Sequence, residues 1–78
     1  MNAKDRKVVG AALDKVREAI EEIRSVAEGE REKFDNLTEG LQGGERGQAI
    51  EAAADGLEQG ADELEGAIDT MSEWSEPQ

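Results

Sequence analysis

The sequence predicts an all-α fold: an antiparallel two-helix hairpin of coiled-coil character that dimerises into a four-helix bundle. Three observations carry this. Apolar residues recur in alternating steps of four and three along two long stretches, the spacing of helices that pack on one another. A glycine-containing segment over 36–44 separates those stretches. Charged residues flank the apolar positions in a pattern that an antiparallel pairing satisfies and a parallel one does not.

The bulk composition sets the bounds. With 78 residues, 37% charged and 3% aromatic, the chain is a single domain, 1–78, with a thin core. Disordered acidic segments share that profile but lack sustained apolar periodicity, so the repeat decides for helix. Cysteine is absent, which excludes disulfides, thiolate chemistry and cysteine-type zinc sites. Histidine is absent too, removing the usual general base and the commonest transition-metal ligand. The N-terminal MNAKDRKVVGAALDK carries bases but no apolar run that would serve as a signal peptide or membrane span, so a cytoplasmic protein is expected.

The first helix is expected over 4–35. Its seam is Val9, Leu13, Val16, Ile20, Ile23, Ala27, Glu30 and Phe34, and its charges are mixed. The loop, 36–44, follows from Asn36, Gly40 and the Gly43-Gly44 pair, which stop one helix and give the backbone freedom before the next. The second helix is expected over 45–74, with Ile50, Ala54, Leu57, Ala61, Leu64, Ile68 and Met71 as its seam. Beside that seam runs a ladder of carboxylates alone: Glu51, Asp55, Glu58, Asp62, Glu65 and Asp69. Residues 75–78 read as a short frayed tail.

Docking the seams antiparallel gives the layers Leu13/Met71, Val16/Ile68, Ile20/Leu64, Ile23/Ala61, Ala27/Leu57, Glu30/Ala54 and Phe34/Ile50. On one flank this register sets Arg17 against Glu65, Arg24 against Glu58 and Arg31 against Glu51. Exposed ion pairs choose a register more than they hold a fold. Asp55, Asp62 and Asp69 are then left without partners. On the other flank Ala12, Ala19 and Val26 face Trp74, Ala67 and Gly60, small residues that let backbones approach closely. Gly56, Gly60 and Gly66 weaken the second helix by roughly 1 kcal/mol each relative to alanine. A lone hairpin is marginal, and Ala12, Ala19, Val26, Ala53, Gly60, Ala67 and Trp74 form the expected oligomer interface, giving a homodimer.

Chemistry is sparse. Asp35 to Arg46 opens like a calcium loop, but Leu37 at its third position and Arg46 at its twelfth ruin the ligand set. Neighbouring carboxylates such as Glu21-Glu22 or Asp62-Glu63 point in different directions on a helix, and Ser25, Ser72 and Ser75 have no base to activate them. No catalytic residue, cofactor or metal site is therefore expected, and the chain reads as no enzyme. Glu30, at a seam position near the loop, is expected to reach outward toward Arg46. Trp74 is expected to close the open end of the hairpin over Ala12, the alternative being an exposed anchor for a partner. Leu37 and Leu41 are expected to fold under the loop, the alternative being a small docking patch.

The run Glu32-Lys33-Phe34-Asp35-Asn36-Leu37-Thr38-Glu39-Gly40-Leu41-Gln42, followed by Glu45-Arg46-Gly47, resembles a family of small acidic phage and prophage proteins with an EKFDNLPEGLQ-like loop signature. Thr38 stands where that signature has proline. The resemblance covers the loop closely and the helices only in character, and it implies a phage or mobile-element context and so a host-cell cytoplasm, with no activity or site to carry over.

Residues 1–33 balance their charges, so 34–78 carry the whole net charge of −11. That acidic surface repels phosphate and argues against direct nucleic-acid or anionic-membrane binding. The functional expectation is an acidic interaction protein, a modulator or inhibitor that presents Asp55, Asp62, Glu63 and Asp69 to a basic protein partner. The alternative is a self-assembling scaffold with no partner for the acidic face.

Overall fold

The computed structural model describes residues 1–76 and consists of three helices: α1 (Ala3–Asp35), α2 (Glu39–Gln42) and α3 (Glu45–Ser72). The long helices pack against each other as an antiparallel hairpin 58 Å long and 15 by 13 Å across. Each starts where local chemistry permits. Asn2 caps α1 by accepting the Asp5 amide at 2.7 Å, satisfying a donor that no helical carbonyl can reach. Asn36 ends it, its amide donating back to the Glu32 carbonyl and the following Leu37 amide to that of Phe34, each at 3.0 Å.

The expected loop contains a further turn of helix. Thr38, extended at ψ 158°, caps α2 through its hydroxyl, and the Gln42 amide side chain donates to the Phe34 carbonyl at 3.1 Å, tying the turn to the end of α1. Neither Gly43 nor Gly44 uses the left-handed region that only glycine enters freely; their φ angles are −79° and −76°. The constraint is space. A Cβ on Gly44 would stand 3.3 Å from the Leu41 carbonyl oxygen, and one on Gly47 would overlap the carbonyls of Leu41 and Gln42. The α2 turn therefore presses its carbonyl end onto the first turn of α3.

The core repeats every seven residues on each helix. Leu13, Ile20 and Ala27 of α1 are buried against Ala54, Ala61 and Ile68 of α3. Val9, Val16 and Ile23 pack beside them. Here the expected layering is corrected. Leu64 and Met71, placed in the seam opposite Ile20 and Leu13, are 42% and 43% exposed. α3 is turned about its own axis so that its alanine-bearing face, Gly47, Ala54, Ala61 and Ile68, looks at α1. Small residues at the contact line let the two backbones approach, and the leucines are displaced to one side.

The open end also differs from expectation. Ser75 and Glu76 are not a frayed tail: Ser75 is half-buried, its Cβ 3.6 Å from where a Gly10 Cβ would lie. Arg6, buried at 9% exposure, donates to the Glu76 carbonyl oxygen. These residues meet α1 at this end, while Trp74, expected to close it, is 47% exposed. Pro77 and Gln78, the rest of the expected tail, lie outside the described residues. Leu41, expected beneath the loop, is 59% exposed while Leu37 is half-buried.

Candidate interaction surfaces

The turned α3 gives the hairpin two unlike edges. Along one, the arginines of α1 each hold two carboxylates. Arg24 reaches Asp62 at 3.0 Å and Glu65 at 2.5 Å, and Arg31 reaches Asp55 and, at 3.3 Å, Glu58. Arg17 pairs within its own helix, with Asp14 at 3.0 Å. In place of the expected one-to-one pairs Arg17/Glu65, Arg24/Glu58 and Arg31/Glu51, Arg24 and Arg31 take the carboxylates one and two steps further along the ladder, and Arg17 takes Asp14 of its own helix. The cause is the same rotation. With residues 54, 61 and 68 facing α1, both the aspartate row and the glutamate row come within reach of one guanidinium. Asp55 and Asp62, expected to be unpartnered, are therefore engaged within the chain.

Arg24 is held more firmly protonated by hydrogen bonds to Glu65 first and Asp62 second, and Arg31 by its bond to Asp55. A raised folded-state value means that the stabilising effect is complete below the ordinary arginine range and is lost only at still higher pH. The arginine side of these pairs is thus unchanged throughout the neutral and mildly alkaline range.

A charge-reversal cycle reads out this register. Arg24→Glu should destabilise the hairpin, Glu65→Arg in the same chain should recover part of the loss, and Glu58→Arg should recover none. Coupling at Glu58 and not at Glu65, measured by denaturant unfolding, would restore the one-to-one alignment.

The remaining members of the expected acidic face do not form one patch. Asp69 stays on the arginine edge, in a recess shared with Arg17, Arg24 and Glu65, and makes no ion pair there. Glu63 lies on the other side of α3, because consecutive helical residues project about 100° apart. Its carboxylate accepts from Gln59 at 3.3 Å and it lines an apolar groove. Glu30, which was expected to face Arg46, instead takes Lys33 of the next turn at 2.8 Å.

That groove marks the second edge. It encloses about 400 Å³ and is formed by Ile23 of α1 with Gly56, Leu57, Gly60, Ala61 and Leu64 of α3. A neighbouring recess of about 270 Å³ continues from Ile23 and Leu57 to Val26. Of the expected interface residues, Gly60 is half-buried in the groove floor, while Ala12, Ala19, Val26, Ala53, Ala67 and Trp74 are exposed. Sequence reasoning placed Leu57 and Leu64 inside and so missed them as the walls of a groove, Leu57 half-buried and Leu64 exposed. The signal was present: both fall three residues after an alanine of the seven-residue series, beside the strip of small residues.

Among the described residues no group of three or more acidic side chains is arranged to hold a metal ion, and no helix is long and apolar enough to cross a membrane. No protein-family profile, curated protein or solved structure matches the chain.

Proposed function

We propose that the chain is a non-enzymatic helical interaction protein, a homodimer of two hairpins joined through the apolar edge into a four-helix bundle, which offers its acidic edge to a basic protein. The observation that carries the acidic half of this reading is the two-to-one pairing. Each of Arg24 and Arg31 is outnumbered by the carboxylates it holds, and Asp69 and Glu51 stand beside them with no ion pair among the described residues. The edge keeps a net negative field after its internal pairs are counted, which suits association with a cationic surface. The loop's resemblance to phage and prophage proteins makes a host-cell protein the natural target and modulation or inhibition the natural effect.

Immobilised protein should retain a basic protein from a bacterial lysate at low salt and release it toward 1 M salt, where the screening length falls to about 3 Å. Glu51→Gln with Asp69→Asn should weaken that retention while leaving the helical signal intact. Retention that is indifferent to salt and to both substitutions would defeat the acidic reading.

The exposed apolar edge favours a second reading, self-assembly as the whole function. Self-association through apolar contact persists at high salt, so the same titration separates the two.

A further inference from the structure

Gly56 and Gly60 sit inside α3, where a Cβ at either position would have nothing within 4 Å. Alanine would fit the hairpin at both and would favour the helix. Within the chain, then, no contact requires glycine at these positions. Both line the apolar groove, walled by Ile23, Leu57 and Leu64. At the same height on α1 stands Val26, 57% exposed. The ion pairs of Arg24 with Asp62 and Glu65, and of Arg31 with Asp55 and Glu58, set that height to within a turn. Two steps along α1 from Arg24 match two steps back along α3 from the Asp62–Glu65 turn, a stretch that begins at Gly60.

We infer that the groove receives Val26 of a second copy, with the two hairpins related by a two-fold axis running along the helices. This rests on the dimer reading above and adds the symmetry axis and the contact that defines it. Rotation about such an axis lays α1 of one copy over α3 of the other without changing heights. Val26 of each copy then meets the Gly56–Gly60 notch of the other, so knob and notch engage twice, as an isologous interface requires. The same operation sets Ala19 over Ala67 and Ala12 over Trp74. Ile23, Leu57 and Leu64 of both copies come together at the centre.

The exposed area is what such a dimer needs. The chain exposes 5738 Å², whereas a compact monomer of 8.4 kDa exposes about 4,600 Å². The excess is about 1,100 Å², and a stable interface removes about 800 Å² from each partner. Charge agrees with the choice of edge. Glu63 in the groove and Glu22 in the recess beside Val26 are the charged residues lining this edge, while the Arg24 and Arg31 clusters lie on the opposite edge and face solvent in the dimer.

Sedimentation of the full chain, Gly60→Leu, the exchange Gly60→Val with Val26→Ala, and Gly66→Ala tests this. Gly66 has open space around its would-be Cβ and is absent from the groove lining. The native chain is expected to be a dimer. Gly60→Leu should weaken dimerisation by about 100-fold or more with helix content retained, and the exchange should restore it to within about tenfold of native. Gly66→Ala should leave it unchanged. A native dimer that Gly60→Leu leaves intact would overturn this contact while keeping the dimer reading. A native chain that sediments as a monomer at about 0.1 mM would overturn both.

Discussion

Gly47→Ala is expected to be among the most damaging single substitutions in the chain, a loss of about 2–4 kcal/mol and a lowered midpoint by thermal circular dichroism. The added methyl is small, but it meets backbone. It would stand 2.8 Å from the Gln42 carbonyl carbon and closer still to the carbonyl oxygens of Leu41 and Gln42. Carbonyls of a hydrogen-bonded turn cannot swing aside as a side-chain tip can. Gln42 is doubly tied, its amide donating to Thr38 at 2.8 Å and its side chain to Phe34. Relief therefore requires α2 to lift from α3, which breaks the closed end. Gly40→Ala, with open space around its Cβ, is the matched control and should be neutral or mildly stabilising. Equal behaviour of the two variants would show that the close approach of α2 to α3 does not exist in solution.

Helix existence was legible because periodicity reports it at low resolution: any register of α1 on α3 uses the same apolar residues. Helix rotation was not legible on the same grounds. The expected seam already held Ala54, Ala61 and Ile68, which are the buried line of α3. Adding Leu64 and Met71 to it maximises buried hydrocarbon on paper and centres the contact too far to one side. Continuing each seven-residue series outward would have corrected it. Counting back from Leu13 arrives at Arg6, and from Ala54 at Gly47, both buried. A buried arginine and a glycine look like breaks in an apolar pattern, yet they mark the true contact line. The arginine ladder had the same ambiguity, since aspartate and glutamate rows both repeat every seven residues. Charge pattern alone fixes the antiparallel sense, and side-chain reach then decides the step.

The two edges follow from one choice. Turning small residues toward α1 brings the helices together and carries both carboxylate rows to the arginines. It also carries the leucines out to the opposite side. An apolar edge and an acidic edge are thus the two consequences of a single rotation, and neither can be removed without undoing the other. The Gly56–Gly60 notch belongs to the apolar edge for the same reason.

Ile68→Ala against Met71→Ala measures that rotation. Ile68 is 2% exposed, in contact with the cluster of Leu13, Ile20 and Ala61, and truncating it leaves a void that the long rigid helices cannot close. A loss of about 2–4 kcal/mol is expected, a large part of the roughly 4–12 kcal/mol available to a domain of this size. Met71 is 43% exposed, and its truncation in the single hairpin should cost about 1 kcal/mol or less. The alignment that seats Met71 beside Leu13 in a common seam gives comparable losses at both positions. Unfolding measured at low protein concentration isolates the hairpin from any contact between copies. A Met71→Ala loss equal to that of Ile68→Ala under those conditions would turn α3 back by one seam position. The apolar edge, and the notch upon it, would then be absent from the surface.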